Sequence, residues 1–379
     1  MELRNIFLNN RKLIIVSIVY DMVRSNRLES IILPAASTRG RGKTMHSNKI
    51  PSQPILRKGL ITVSYGDSLS HYHKWPTPTV IISDGGYGIL GFEGDTSDHL
   101  GLPDWYENHI REWSKFAAPS TTLWFWNSEV GWAVIHPILE RYGWKYIELN
   151  VWDKGKAHVA GNVNTTNIRR FPVVTEICAL YVRENNINQV PLKKWLLNEW
   201  KRTGLPLRRA NEACGVKDAA TRKYFDQGHL WYFPPPEVFE KLAIFANKFG
   251  DPNGRPYYSQ DGQQPMNGSE WANMRSKFHC PFGWNNVWRR DPVNGNERLL
   301  AINGKAAHLN QKPLDLMQLI IQASSDVGDV VWEPFGGLFT ASIAAHKLQR
   351  EAYSCEIDPD YYMLGVDRIE NELQRIPLL

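Results

Sequence analysis

The chain has 379 residues, 42% of them apolar and 22% charged, too apolar for a disordered chain and too interrupted by charge for a membrane-spanning one. Its net charge of +5 permits a polyanionic partner without requiring one. Aromatics are the departure, at 12% with 15 Trp, which suits either buried mass or faces on which a base or flat cofactor stacks.

Residues 1–58 read as a basic, flexible arm. Lys and Arg far outnumber Glu2, Asp21 and Glu29 there, and STRGRGKTMHSNKIPSQP has no periodicity. A solubilising tail and a DNA-grazing arm both fit that composition. The apolar run LIIVSIV (13–19) is well short of the ~20 residues that span a bilayer. Asp21, Arg24 and Arg27 follow it with no small-residue cleavage site, so neither an anchor nor a signal peptide is expected. Cys178, Cys214, Cys280 and Cys355 lie far apart, with no CxxC and no Cys/His cluster. A disulfide framework and a metal site are therefore not expected, and a reducing cytoplasm is the expected setting.

From residue 59 the pattern turns α/β. TVIIS (79–83) is a short apolar strand that stops at DGGYG, and DWYENHIREWSKFAA has helical spacing. TTLWFW (121–126) is a second strand, IHPILERYG a helix, and KYIELNVW and TEICALYV two further strands. Strands alternating with helices predict a largely parallel sheet covered on both faces. Residues 186–304 break this pattern with stretches such as YFPPPE and GDPNGRPYYSQDGQQPMNGSE, as an inserted, loop-rich domain would. Over 305–379 the alternation returns. The helix KPLDLMQLIIQASS leads to strand DVVWEPF, helix FTASIAAHKLQR, strand REAYSCEID and a last helix.

The chemistry concentrates in that last unit. A buried strand runs into EPFGG and at once into a helix, and the next strand ends at Glu356. Glycines let a backbone approach a ligand closely, and a helix N-terminus favours an anionic end. A carboxylate at the next strand tip can take two ribose hydroxyls. A glycine turn alone is also an ordinary strand–helix connection; Glu356, about twenty residues on, is what favours a nucleotide-type cradle.

These residues resemble the amino-directed DNA methyltransferases that use S-adenosylmethionine, in the permuted branch where the catalytic motif precedes the cofactor motif. HLNQKPLDLMQLII (308–321) is similar to that family's QKP helix, EPFGGLFTA (333–341) to its DPFxGSGTT loop, and EIDPDYYMLGVDRI (356–369) to the segment that follows. GDSL (66–69), IISDGGYG (81–88), and Trp152, Lys154 and TEICALYV (175–182) resemble its remaining elements in their usual order. The resemblance implies a Rossmann-like α/β methyltransferase sheet with helices on both faces, its catalytic half at 59–185 and its cofactor half at 305–379, with a target-recognition domain inserted at 186–304. It implies S-adenosylmethionine as cofactor, held by Asp67, Lys312, Glu333, Phe335, Gly336, Gly337 and Glu356, and no metal. It implies double-stranded DNA as partner, with a restriction endonuclease acting on the same site as its counterpart.

The tetrad Asp84-Gly85-Gly86-Tyr87 is the expected catalytic element. An exocyclic amine is a poor nucleophile because its lone pair is conjugated with the ring. Acceptors on its hydrogens, here the Asp84 carboxylate and the Gly85 carbonyl, would free that pair, and Tyr87 would stack on a base flipped from the duplex. The sequence departs from the family in having two glycines where prolines are usual, Phe339 where a second loop glycine is typical, and Glu333 in place of Asp. Two glycines leave the tetrad looser by roughly 1 kcal/mol or more of ordering entropy.

For the middle domain, 191–225 scans as a helix–turn–helix. Leu207, Ala210, Ala213 and Val216 space like a paired core, Gly215 sits at the turn, and Arg222 and Lys223 lie on the second helix. Arg208, Arg209, Arg222 and Lys223, with Arg289 and Arg290 in GWNNVWRRDP, are the expected DNA contacts; a basic, solvated hairpin is the bland alternative. In the family that the chain resembles, Ser in the first tetrad position goes with cytosine and Asp with adenine; counting back from Tyr87 puts Asp84 rather than Ser83 there, so the resemblance implies adenine N6 as the favoured target. Cytosine N4 is the nearest rival. A catalytically weakened DNA-binding regulator is the rival of another class, and a Rossmann-type oxidoreductase is disfavoured because GLFTA lacks the GxGxxG spacing.

Overall fold

The computed structural model describes residues 55–374, apart from 90–95, 156–168, 170, 184, 219, 253, 301–303, 305 and 309. The basic arm predicted over 1–58 therefore falls, as far as residue 54, outside the described residues. Its last four residues form a strand, β1 (Ile55–Lys58), antiparallel to β2 (Ile61–Tyr65). Lys58 pairs with Glu370 across 3.1 Å, so the basic character there is spent at the edge of the fold.

A nine-stranded sheet organises the molecule. It contains β3 (Val80–Ser83), β4 (Thr122–Asn127), β5 (Trp144–Asp153), β6 (Thr175–Arg183), β9 (Val287–Arg289), β10 (Val330–Glu333) and β11 (Glu351–Glu356) besides the first two. The order across it is β1-β2-β11-β10-β3-β4-β6-β5-β9. The run β2-β11-β10-β3-β4 is parallel, with Val331 beside Val80 and Ala352 beside Ile61. β6 pairs antiparallel with both β4 and β5.

Both faces of the sheet are covered, and the strands show it residue by residue. Val80, Ile82, Trp124 and Trp126 enter the core shared with α8 (Leu314–Ser324), α9 (Thr340–Lys347) and α10 (Pro359–Gln374). Ile81, Leu123 and Phe125 enter the opposite core, with α1 (Leu102–Phe116) and α2 (Glu129–Arg141). In β3 and β4 the apolar positions are thus consecutive, Val80–Ile82 and Leu123–Trp126, rather than alternate, as burial on both faces requires. In α1 the buried residues Leu102, Tyr106, His109, Ile110 and Trp113 recur at helical spacing. Ser128 starts α2 by accepting from the Gly131 amide at 3.1 Å.

The middle segment has a core of its own. A short hairpin of β7 (Asn186–Ile187) and β8 (Val190–Pro191) precedes α3 (Leu192–Arg202), α4 (Arg209–Cys214), α5 (Arg222–Phe225), α6 (Pro236–Phe249) and α7 (Gly268–Ala272). Trp195, Leu196, Trp200, Phe239, Tyr258 and Trp271 are buried together among these helices. The helix–turn–helix expected here is not formed. Gly215 does turn the chain, with φ +67, but the second helix is a single turn of four residues. Leu207 and Val216, expected in its paired core, are both 41% exposed, while Ala210 alone of the four is fully buried. Small and apolar residues at the right spacing did not distinguish a recognition helix from one turn between loops. β9, which lies within 186–304, joins the main sheet beside β5 and so ties the end of this segment to the α/β scaffold.

Candidate active site

The carboxyl ends of β2, β11, β10 and β3 open onto one cavity of about 440 Å³. Carboxyl-end crevices are where open α/β sheets bind ligands. Each strand tip delivers a named group to it: Asp67 after β2, Glu356 closing β11, Glu333 closing β10 with Phe335, Gly336 and Gly337 behind it, and Asp84, Gly85 and Tyr87 after β3. Lys312, just before α8, lines it too.

On the β3 side, five polar groups form one closed network. Lys312 Nζ lies 2.6 and 2.8 Å from the two Asp84 oxygens and 2.9 Å from Glu176 Oε1. The Tyr87 hydroxyl donates to Asp84 Oδ1 at 2.9 Å and to Glu176 Oε1 at 2.5 Å. Lys154 closes the far side at 2.8 Å from Glu176 Oε2, its ammonium 4.6 Å from the centre of the Trp152 ring. Burial alone would raise the Glu176 carboxyl, but the Lys312 and Lys154 ammoniums outweigh it and hold the group down at about 2. Burial likewise opposes the charge on Lys312, and Asp84 and Glu176 reverse that, keeping the ammonium well above its ordinary range. Burial and the two carboxylates together push the Tyr87 phenol up. Lys312, predicted as a cofactor contact, thus has its ammonium committed to the tetrad.

Glycine at 85 has a packing reason. A Cβ on Gly85 would stand 2.7 Å from the Phe335 ring and 2.8 Å from the Tyr106 hydroxyl, so any larger residue must move one of them. The Gly86 carbonyl accepts from Asn127 Nδ2 at 2.9 Å and from the Tyr106 hydroxyl at 3.1 Å. Phe335 itself sits among Trp105, Tyr106, His109 and Trp113, with ring centres 4.9 to 6.2 Å away. Burial pulls His109 down to about 4, so this wall of the cavity is neutral as well as aromatic.

On the β10–β11 side, Glu356 accepts from the amides of Gly337 at 2.6 Å and Asp358 at 2.8 Å. Burial outweighs these contacts and pushes its carboxyl up to about 7. Glu333 behaves differently from expectation. Its oxygens accept from the Ala341 amide, the Ser342 amide and the Ser342 hydroxyl at 2.9, 2.9 and 2.6 Å. The anion at the N-terminus of α9 is therefore the chain's own carboxylate, where the sequence suggested the anionic end of a ligand. Burial raises Glu333 to about 7 despite those donors. Phe339, in the place of a loop glycine, adopts φ +55 and buries its ring completely. That ring lies where a Cβ on Gly336 or Gly365 would be, at 2.3 and 2.5 Å. Gln311 of the QKP box braces the cavity rim, donating to Glu297 O at 2.8 Å and accepting from the Leu299 amide at 3.1 Å.

The basic residues separate into two kinds. Arg208, Arg222, Lys223 and Arg289 are exposed, with Lys223 over the rings of Tyr224 and Tyr232. Arg209 is paired with Glu212 at 2.5 Å and lies against Phe245 and Phe249. Arg290 is half-buried and engaged by the protein's own carboxylates: it donates to Asp315 at 2.9 Å and to Glu297 at 2.5 Å. Glu297 in turn accepts from the Leu314 amide at 3.0 Å, so Arg290 anchors the start of α8. Sequence reasoning singled out Lys154 and the Glu176 strand as resembling family elements without giving either a role, and it missed Asn127, Tyr106 and His109 altogether. The signal for Asn127 was a polar residue closing the apolar run LWFW.

Among the described residues no group of three His, Cys, Asp or Glu side chains is disposed to hold a metal ion, and no helix is long and apolar enough to cross a membrane. A family profile described as DNA methylase matches residues 79–367. The type II methyltransferase M1.MboII of Moraxella bovis is 32% identical over 95 residues, 25% of this chain and 35% of that protein. The DNA adenine methyltransferase YhdJ of Escherichia coli K12 is 40% identical over 63 residues, 17% of this chain and 21% of that one. The chain thus spans about a third or less of either relative's length. Among solved structures, the cytosine-N4-specific PvuII DNA methyltransferase aligns with a TM-score of 0.47 and 13% identity, over 83% of this chain and 92% of that one.

Proposed function

From a chain that belongs to the DNA methylase family, whose profile spans residues 79–367, we propose an enzyme that moves a methyl group from S-adenosylmethionine to the exocyclic N6 of adenine in double-stranded DNA. The observation that carries this reading is the convergence of the Asp84–Tyr87 tetrad and Glu356 on one cavity. The residues fit the cofactor: a buried carboxylate at a strand tip, the neutral wall of Phe335, Trp105 and His109, and the backbone of Gly66 and Gly337, whose φ values of +127 and +51 bring main chain rather than side chain to the cavity. Asp67, Phe335, Gly336, Gly337 and Glu356 would hold it. Bound there, it supplies an electrophilic methyl on a positively charged sulfur.

The chain's own work is orientation and hydrogen bonding. Asp84 would accept from the amine, with Lys312 shifting toward Glu176 as the amine takes its place. Tyr87, its hydroxyl held by two carboxylates, would offer a ring of fixed orientation to a flipped base. Adenine is favoured over cytosine because Asp84 lines the cavity, whereas Ser83 is fully buried within β3. The exposed Arg208, Arg222, Lys223 and Arg289 would contact the duplex, and a restriction endonuclease cutting the same site would be the natural counterpart.

Tritiated S-adenosylmethionine, plasmid DNA and nucleoside analysis of the product test this directly. N6-methyl-2′-deoxyadenosine is expected; N4-methyl-2′-deoxycytidine would redirect the reading to cytosine, and DNA binding without transfer would make the protein a regulator. Asp84→Ala should keep cofactor affinity within a few-fold and cut turnover by orders of magnitude, because the lost contact matters most in the transition state.

A further inference from the structure

The tetrad has two glycines and is nevertheless held, and the restraint comes from behind it. Gly86 is buried, and its carbonyl receives two buried donors from two different elements: Asn127 Nδ2 at the end of β4 and the Tyr106 hydroxyl on α1. Both donor residues are completely inaccessible to solvent. We infer that Asn127 and Tyr106 are positioning residues that lock the Gly86–Tyr87 peptide plane, supplying through hydrogen bonds the rigidity that the tetrad's own residues lack. The inference rests on the methyl-transfer reading only for its consequence, not for its geometry.

Three features make the arrangement specific. First, β3 and β4 are parallel neighbours, with Ser83 beside Phe125, so the strand that ends in Asn127 carries it to the level of the tetrad. Second, the amide of Asn127 is oriented. Its Oδ1 accepts from the Ser128 amide at 2.9 Å, which leaves Nδ2 as the donor toward Gly86. Third, room is reserved for it. A Cβ on Gly131 would stand 1.9 Å from Asn127 Oδ1 and 2.7 Å from its Cγ, so glycine at 131 is a condition of this side chain's position. Tyr106 is fixed by ring contacts to Phe125 and Trp105 at 5.0 and 4.6 Å. Once the Gly86 carbonyl is pinned, the next residue's backbone is restrained too, and Tyr87 carries the hydroxyl that joins Asp84 to Glu176. Glycine backbone left without such anchors samples far more conformations.

Four variants of the full-length chain test it: Asn127→Asp, Tyr106→Phe, Asn127→Ala and Gly131→Ala. Asn127→Asp keeps the shape and the Ser128 contact but turns the donor into an acceptor facing a carbonyl, so it separates donation from packing. Gly131→Ala touches no group in the cavity and should reproduce the loss by crowding Asn127. Each is measured for amide hydrogen exchange over residues 84–88, for S-adenosylmethionine Kd by calorimetry, and for kcat and KM in the transfer assay. Exchange in the tetrad is expected to rise tenfold or more while β4 and α1 stay protected. Turnover should fall by about 10–100-fold, as small misplacements of reacting groups do, with KM and cofactor Kd within about twofold. Unchanged exchange in both Asn127→Asp and Tyr106→Phe overturns the inference whatever the activity. Raised exchange with wild-type kcat overturns its catalytic part. A wild-type chain that transfers no methyl group defeats the functional reading instead, and the exchange arm still decides whether the two residues hold the tetrad.

Discussion

Lys312 and Asp84 stand 228 residues apart in the chain and 2.6 Å apart in space. The lysine precedes α8 and the aspartate follows β3, so a single ion pair joins the late part of the sequence to the tetrad that was laid down early.

Because the Lys312 side chain is only 3% exposed, losing its charge leaves Asp84, Glu176 and Tyr87 converging with Lys154 as their remaining cation. Removing one member of a buried pair costs about 3–5 kcal/mol, since the orphaned charge stays desolvated. Lys312→Met should lower the unfolding free energy by that order in urea denaturation. A loss below about 1 kcal/mol would mean that the ammonium does not hold the network together.

Glu356 gives cofactor binding a pH dependence of defined sign. Its carboxyl is pushed up to about 7, and ligand hydroxyls donating to it, like a positively charged ligand, favour the ionised form. Affinity for S-adenosylmethionine should therefore climb as pH rises from 6 to 8. Glu356→Gln should abolish the climb and weaken binding roughly tenfold to a hundredfold, an acceptor to two hydroxyls being worth about 1.5–3 kcal/mol. Titration calorimetry across that range reads both. The same elevation works against the unliganded fold. A raised acid contributes its stability below its ordinary pKa near 4.5 and loses it as pH climbs through about 7, and Glu333 acts in the same direction.

Phe339 sets two effects against each other. Its left-handed backbone is uncomfortable for a side-chain-bearing residue by about 1–2 kcal/mol, and a glycine would remove that strain. Its fully buried ring fills the space over Gly336 and Gly365, and truncating a buried Phe costs about 3–5 kcal/mol. The cavity wins. Phe339→Gly should destabilise the fold by a few kcal/mol in chemical denaturation, and a more stable variant would show that the ring contributes less than the backbone strain.

The basic residues divide by accessibility. Replacing the exposed Arg222 and Lys223 together by Ala should flatten the slope of log DNA affinity against log salt by nearly two units, about 0.9 for each phosphate contact. Arg290→Ala should leave that slope unchanged. It should instead cost about 1.5–3 kcal/mol of stability, because the contacts it loses are to Asp315 and Glu297. Filter-binding isotherms across a salt series, with denaturation of the same variants, separate the two outcomes.

What the sequence disclosed depended on the range of the interaction. Asp84, Tyr87 and Glu356 belong to short motifs at strand ends, where a few adjacent residues determine both the turn and the exposure of the side chain, so their positions were legible. The partnership of Glu176 with Lys154 and Lys312 was not, because a buried charge looks like any other charge until the strands carrying its counter-ions are aligned. Arg290 was misjudged for the same reason: a run of Asn, Trp and Arg fits a nucleic-acid surface, and nothing local reveals Asp315 facing it. β1 and β9 escaped because strands of four and three residues with polar neighbours take their structure from the sheet edge they join. The helix–turn–helix failed where periodicity was asked to measure length, since Leu207, Ala210, Ala213 and Val216 carry the spacing while α5 ends after one turn.

The strand order also governs how the protein can be made. β3 emerges from the ribosome early, yet its parallel neighbour β10 is among the last strands synthesised, and β11 must still slot between β10 and β2. Until then the nascent chain presents two bare strand edges, on β2 and on β3, with an unfilled gap between them. Such non-local pairing is slow, and open edges invite association with other chains. A ribosome-stalled fragment ending before residue 330 should therefore be protease-sensitive along β2 and β3 and prone to aggregate, while the helices around Trp200 and Trp271, whose partners lie close in sequence, are already protected.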